Sequence, residues 1–260
     1  MTAPANKPLA GKIALVTGAS RGIGRSIATR LAHDGAMVAV HYVNSEGPAK
    51  ALVAEITSAG GSAFAVKSDL ASHGGVATLF TAFDAELVSR TGVSRFDILV
   101  NNAGIAPMHG LNETTEAIMD EIYAVNVKAP FFISQEAARR LNDGGRIVNL
   151  SSVVVRLPFP SALAYSVLKA PIDTLTRGLA VELGARSITV NAISPGVIET
   201  DMTSFVKSQE GLDFTLGQQA LKRLGQPADI ADVVAFLAGP DSRWVTGQVL
   251  EVSGGSVLSF

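Results

Sequence analysis

Tyr165 and Lys169 stand four residues apart in the stretch YSVLK, thirteen residues after Ser152. On a helix that spacing puts both side chains on one face. A free tyrosine has a pKa of about 10 and exchanges protons poorly at neutral pH. A neighbouring ammonium favours the phenolate and lowers that pKa, so the pair forms a tunable acid/base. Ser152 ends the apolar run RIVNLSS and could hydrogen-bond a substrate oxygen from the end of a strand. Ser151 is its rival, but adjacent strand side chains point to opposite faces. Read alone, Tyr-x-x-x-Lys also describes an ordinary surface pair, and Asn126 an ordinary helix-capping or helix-kinking asparagine.

A second constellation lies near the N-terminus, where KIALVTGASRGIG places glycines at 18, 22 and 24. Gly18 permits a tight turn off a strand. Gly22 and Gly24 let the next helix approach a ligand and the sheet closely. The free N–H groups of that helix start, with the positive end of its dipole behind them, suit a phosphate or pyrophosphate. The spacing is G-x-x-x-G-x-G rather than G-x-G-x-x-G, but it follows a clear strand and opens a clear helix.

These groups need a scaffold. Strands are expected at 12–17, 37–42, 63–68, 97–101, 146–151, 188–193 and 249–252, and helices at 22–33, 46–59, 76–90, 115–125, 129–141, 162–184 and 227–238. Strands apolar on both faces, alternating with helices, predict an α/β domain: a doubly wound parallel sheet of about seven strands, a Rossmann fold. Residues 1–10 read as a loose tail before a single domain over 11–260. The polar segment 199–221, with Met202, Phe205, Phe214 and Leu216, reads as a lid over a site. The 260 residues allow a sizeable core, and a net charge of −2 with no basic run argues against nucleic acid or an anionic membrane as partner. The absence of cysteine excludes thiolate catalysis and zinc–sulfur sites. No stretch reads as a membrane span or a signal peptide, and a cytoplasmic protein is expected. The four histidines lack metal-ligand spacing and read as surface residues, with His41 the one that could border a ligand. Trp244 reads as a packing residue.

Taken together, TGASRGIG at 17–24, NNAG at 101–104, Asn126 in VNV, Ser152, YSVLK at 165–169, SPG at 194–196 and VTGQVLEVSGG at 245–255 resemble the short-chain dehydrogenases/reductases, in that family's order. The thirteen-residue gap from Ser152 to Tyr165 also fits. The resemblance implies that Tyr165 passes the proton to or from a carbonyl oxygen, that Ser152 polarises that carbonyl, and that Lys169 lowers the tyrosine pKa and holds the nicotinamide ribose. It implies that Asn126 positions a relay water. Gly18, Ser20, Arg21, Gly22, Ile23 and Gly24 would hold the pyrophosphate side, Asp69 and Leu70 the adenine, and Asn102, Ala103 and Gly104 the wall beneath the cofactor. Pro195 and Gly196 would let the backbone pass close to the nicotinamide, with Thr200 and the backbone of Ile198 on its carboxamide. It implies a homotetramer, or a homodimer, with helices 129–141 and 162–184 and the last strand at interfaces. Two departures stand out: Leu168 before the lysine, and Pro171, which predicts a kinked helix or one accommodated against a neighbouring subunit.

An NAD enzyme of this architecture ends its second strand with a carboxylate on the ribose hydroxyls. Here residues 41–44 contain no Asp or Glu. Arg21 and Ser20 face Asn44 and Ser45 across the crevice instead, which suits a 2′-phosphate and predicts NADP(H). The residues expected to wall the pocket (Val153, Val154, Phe159 between two prolines, Val197 and the lid) are mostly apolar. The leading expectation is therefore an NADPH-dependent reductase of a small-molecule ketone or aldehyde. A 3-oxoacyl-carrier-protein reductase ranks second, because Arg186 matches one carrier-gripping arginine but Asp143 stands where the other is expected. An NAD-linked sugar or steroid alcohol dehydrogenase, and a non-catalytic dinucleotide-binding subunit, complete the alternatives.

Overall fold

The computed structural model of this chain describes residues 7–256 and 258. Seven strands form one parallel sheet in the order β3-β2-β1-β4-β5-β6-β7. They are β1 (Ile13–Val16), β2 (Met37–Tyr42), β3 (Ser62–Lys67), β4 (Phe96–Asn101), β5 (Leu141–Leu150), β6 (Thr189–Pro195) and β7 (Val249–Val252). The order reverses between β1 and β4, and the crevice of such a sheet opens above that point, at the carboxyl ends of the strands.

The period-two alternation of β1 explains the layers. Ala14 and Val16 face a core shared with α1 (Gly22–His33), α2 (Glu46–Ser58) and α8 (Pro227–Ala238). Leu15 faces the opposite core, shared with α3 (Gly75–Thr91), α5 (Ala129–Arg140) and α6 (Leu163–Leu183). Phe83 anchors that second core, with its ring 5.2 Å from Phe96 and 6.2 Å from Phe80. Both faces of the strand are thus buried, which is why it reads as an uninterrupted apolar run. A buried polar network crosses the same layer: Asn101 donates to Ser134 and to Asn149, and Asn149 donates to Thr176 at 2.9 Å.

Several expectations need correction. Residues 7–10 are not loose, since Leu9 is buried and its N–H donates to the Asp34 carbonyl; residues 1–6 lie outside the described residues. The helix expected over 115–125 is α4 (Glu116–Tyr123), followed by a π turn, Ala124–Lys128, that runs directly into α5. The lid segment carries a 3₁₀ stretch, Asp201–Lys207, and α7 (Gln209–Gly217). Helix α6 runs on through Pro171. Trp244 does not pack: it is 96% exposed. His41, by contrast, is fully buried, because β2 is an interior strand. No helix among the described residues is long and apolar enough to cross a membrane.

Candidate active site

The glycine turn joins β1 to α1. Gly18 and Gly22 have φ of +63° and +54°, a region that side-chain-bearing residues rarely adopt. A Cβ on Gly18 would come within 2.9 Å of Ala103 Cα, and one on Gly24 would overlap the Gly18 carbonyl oxygen and the Asn102 side chain. The turn therefore lies directly on the segment that follows β4. Asn102 Nδ2 donates to the carbonyls of Thr17 (2.8 Å) and Gly18 (3.1 Å), while Thr17 Oγ1 accepts from the N–H groups of Asn102 and Ala103. The first turn of α1, from Gly22 through Ile23 and Gly24, has no side-chain cap, so its N–H groups face the crevice. Arg21 is exposed and makes no ion pair among the described residues. Ser20 is buried beside it.

His41 closes the turn from below. Its Nδ1 accepts the Gly18 N–H at 3.0 Å, its Nε2 donates to the Ser68 carbonyl at 3.0 Å, and its own carbonyl accepts from Ala19. One neutral tautomer satisfies both ring nitrogens. Burial holds its pKa down to about 4, with Ser68 and Asp69 acting weakly the other way. Next to Ser68, Asp69 is exposed and caps a turn by accepting from the Ala71 N–H, and Leu70 is buried in the α3-side core. Asn44 is exposed after β2. Ser45 begins α2 with its hydroxyl uncommitted to a cap, while Glu46 is drawn to Lys50 at 2.7 Å.

The other wall carries the proton-active groups. Lys169 is 5% exposed, and its ammonium donates to the Leu150 carbonyl at 2.8 Å. Burial lowers its pKa to about 8, opposed by the charge of Asp173. The Tyr165 phenol is pushed up by burial, with the Ser152 hydroxyl working in the opposite direction. The sequence reading expected Lys169 to lower that pKa. In this structure the ammonium points to Leu150 and lies 5.9 Å from the centroid of the tyrosine ring, and burial is the larger influence on the phenol. Ser151 and Ser152 diverge as strand geometry requires. Ser151 reaches Asp173 on α6, whereas Ser152 caps the short helix Val153–Val155.

Asn126 sits fully buried in the π turn and binds both backbone groups of Ile105: Oδ1 accepts at 3.0 Å and Nδ2 donates at 2.8 Å. Gly104 lies between this amide and the lysine. A Cβ there would stand 3.3 Å from Asn126 Oδ1 and 3.6 Å from Lys169 Nζ. Gly196 packs closely as well, since a Cβ there would strike the backbone of Ser253 beyond β7. Pro195 ends β6 beside it. At the lid's start, Thr200 caps the 3₁₀ stretch with Thr203, whose hydroxyl donates to the Ile198 carbonyl at 2.5 Å. The Thr200 methyl comes within 3.4 Å of where a Gly22 Cβ would be, so the start of segment 199–221 is rooted against the glycine turn.

Beyond Ser152 a cleft is lined by Val153, Leu157, Phe159, Val197, Phe205 and Phe214. Phe159 and Phe214 meet edge to face across it, with ring centroids 6.3 Å apart. Val154, also expected in that wall, is buried and does not line the cleft. Two polar participants, Thr17 and Asp173, are not singled out by the sequence, whereas His41 is expected there to border a ligand. Thr17 could have been suspected from its place just after β1. Asp173 could have been found by extending the four-residue spacing one step past Lys169.

Comparison with known proteins identifies the family. The family described as enoyl-(acyl carrier protein) reductase matches residues 18–257. A hydroxynaphthalene reductase-like protein of Metarhizium brunneum is 42% identical, covering 96% of this chain and 97% of its own. A crystal structure of an angucycline C-6 ketoreductase with bound NADP superposes with a TM-score of 0.94 at 42% identity, covering 97% of this chain and 98% of that one. A short-chain dehydrogenase/reductase from Serratia marcescens superposes with a TM-score of 0.89 at 43% identity, covering 96% and 99%. The chain belongs to the short-chain dehydrogenase/reductase family of oxidoreductases.

Proposed function

We propose that this protein is an NADPH-dependent ketoreductase of an apolar, ring-bearing ketone. The observation that carries the reading is the apolar cleft with its Phe159–Phe214 pair, which begins one residue from Ser152. Relatives whose names concern hydroxynaphthalene and angucycline reduction support an aromatic substrate, and the NADP bound in one of them supports the cofactor.

The residues fit such a cofactor. The uncapped start of α1, held by Gly18, Gly22 and Gly24 with Ile23 between, suits a pyrophosphate. Arg21, free of ion pairs among the described residues, together with Ser20, Asn44 and Ser45 suits a 2′-phosphate. Asp69 and Leu70 would border the adenine, Asn102 to Gly104 the wall beneath, and Pro195, Gly196, Ile198 and Thr200 the nicotinamide. When bound, NADPH supplies the hydride. The chain's own part is the proton. Ser152 and Tyr165 hold the carbonyl oxygen, Tyr165 gives it a proton as the oxygen becomes anionic, and the buried Lys169 ammonium stabilises the phenolate left behind. Asn126 holds the loop at Ile105 and would order the water that returns the proton to Tyr165.

The carrier-protein reading has less support. Arg186 is committed to Asp143 at 2.8 Å and to the carbonyls of Ala138 and Leu141, at the end of β5 opposite to Ser152. Assembly as a homotetramer, or a homodimer, in the cytoplasm completes the proposal. The test is NADPH oxidation with a panel of tetralones, naphthalenones, small aldehydes, 3-oxoacyl thioesters and sugars. Turnover is expected for the ring-bearing ketones. A marked preference for 3-oxoacyl thioesters, or activity only with NAD and an alcohol, would replace this reading.

A further inference from the structure

Helix α6 is laced to the end of β5 at three positions on one face. Lys169 donates to the Leu150 carbonyl at 2.8 Å, Asp173 accepts from the Ser151 hydroxyl at 2.6 Å, and Thr176 accepts from Asn149 at 2.9 Å. The spacing 169, 173, 176 is that of one helical stripe. It meets three consecutive residues, 149 to 151, that lead straight into Ser152. Only one partner in this ladder is a carboxylate. An O–H bond to an ionised carboxylate is among the stronger hydrogen bonds, and at this length it fixes both ends.

Asp173 also stands one turn beyond Lys169. The elements packed over the lysine offer it no other charge. The segment after β4 brings Gly104, with the neutral Asn126 amide of the π turn beside it, and the end of β5 brings the Leu150 carbonyl. The titratable groups facing Lys169 are therefore Tyr165 and Asp173, both on α6, and the charge of Asp173 opposes the burial that strips the lysine of its proton.

We infer that Asp173 is a positioning residue of this site: it anchors the strand end that presents Ser152 and places its carboxylate one helical turn from Lys169 on the same stripe. Its use in catalysis rests on the ketoreductase reading, whereas its hold on Lys169 does not. Replacing the carboxylate by an amide preserves shape and a hydrogen-bond acceptor but removes the charge. The lysine then loses its proton at lower pH, and the phenolate loses its support in the same range.

The experiment is an NMR titration of ¹³Cε-lysine-labelled protein, with Lys169→Met to assign the resonance, run on the wild type and Asp173→Asn. Thermal melting and kcat against pH are measured on the same proteins and on Asp173→Leu. Asp173→Asn is expected to melt close to the wild type and to titrate Lys169 about one pH unit lower, which corresponds to a roughly tenfold change in the protonation equilibrium. The alkaline limb of its kcat profile should move down with it, while KM for NADPH stays within about twofold. Asp173→Leu should lose further kcat through Ser151. An unchanged Lys169 titration in Asp173→Asn overturns the inference. Equal losses in both variants at every pH do so as well, since that pattern is purely structural. A wild type that reduces no ketone refutes the ketoreductase reading alone, because the NMR titration still reports the Asp173–Lys169 coupling.

Discussion

The N–H of Gly18 donates to Nδ1 of His41 at 3.0 Å, and the opposite nitrogen of the same ring donates to the carbonyl of Ser68. One buried imidazole thus ties the glycine turn to the end of β3. The proposed cofactor would touch both places, so the ring sets the distance between its pyrophosphate and adenine subsites.

This arrangement works only with a neutral ring, because protonation at Nδ1 would replace an acceptor by a donor facing the Gly18 N–H. The histidine pKa is about 4 in the folded protein against 6.5 in an ordinary environment. Above pH 6.5 the ring is neutral in both states and titration costs nothing. Between 6.5 and 4 the unfolded chain takes up a proton that the folded chain refuses, and stability falls, by about 3 kcal/mol across the whole window. Urea unfolding from pH 7 to pH 4.5 should therefore show a steeper decline for the wild type than for His41→Leu. At pH 7 the variant should be the less stable protein, since Gly18 and Ser68 lose their partner at roughly 1–3 kcal/mol. Parallel pH curves for the two proteins would remove His41 from this role.

Arg21 provides a second test. Loss of a charge-assisted contact of roughly 1.5–3 kcal/mol corresponds to about tenfold to a hundredfold in affinity. Arg21→Ala should weaken NADPH binding by that factor while NADH binding changes by less than about twofold, read by reduced-nicotinamide fluorescence. An unchanged NADPH preference would return the choice of cofactor to Ser20, Asn44 and Ser45.

The single tryptophan reports on assembly. Trp244 is 96% exposed on the isolated chain, with Phe236 on the adjoining α8 also exposed. Large apolar groups left open in this way mark association surfaces. Sedimentation should find a dimer or tetramer. Tryptophan emission should shift to the red when Trp244 is left in place and the assembly is diluted to monomers. A monomer at all concentrations, with red emission throughout, would contradict the assembly proposed above.

The fold was readable from the sequence because its strands are buried on both faces. IALV, MVAVHY and FDILVN carry no polar alternation, and the intervening helices follow their own period. The glycine turn was readable because Gly18, Gly22 and Gly24 answer to backbone geometry that any other residue would break. Less readable were contacts made by side chains far apart in the chain. Nothing local marks His41 as buried, since that follows from β2 lying between β1 and β3. Gly196 also packs on Ser253, more than fifty residues later, a contact that nothing local in the sequence marks. Nothing local in the sequence marks the π turn that holds Asn126, nor its two hydrogen bonds to Ile105, twenty-one residues earlier. Trp244 reads as core because it is a lone large apolar residue, yet the fold leaves it 96% exposed.

The central claim is that Tyr165 transfers the proton while the rest of the site holds cofactor and ketone. Its most direct test compares the wild type with Tyr165→Phe, following NADPH absorbance with a ring-bearing ketone and, separately, NADPH fluorescence on binding. The account predicts that kcat falls by about 10²–10⁴-fold, the usual contribution of a positioned acid, with the NADPH dissociation constant unchanged within about twofold. A Tyr165→Phe protein that reduces the ketone at the wild-type rate would contradict it.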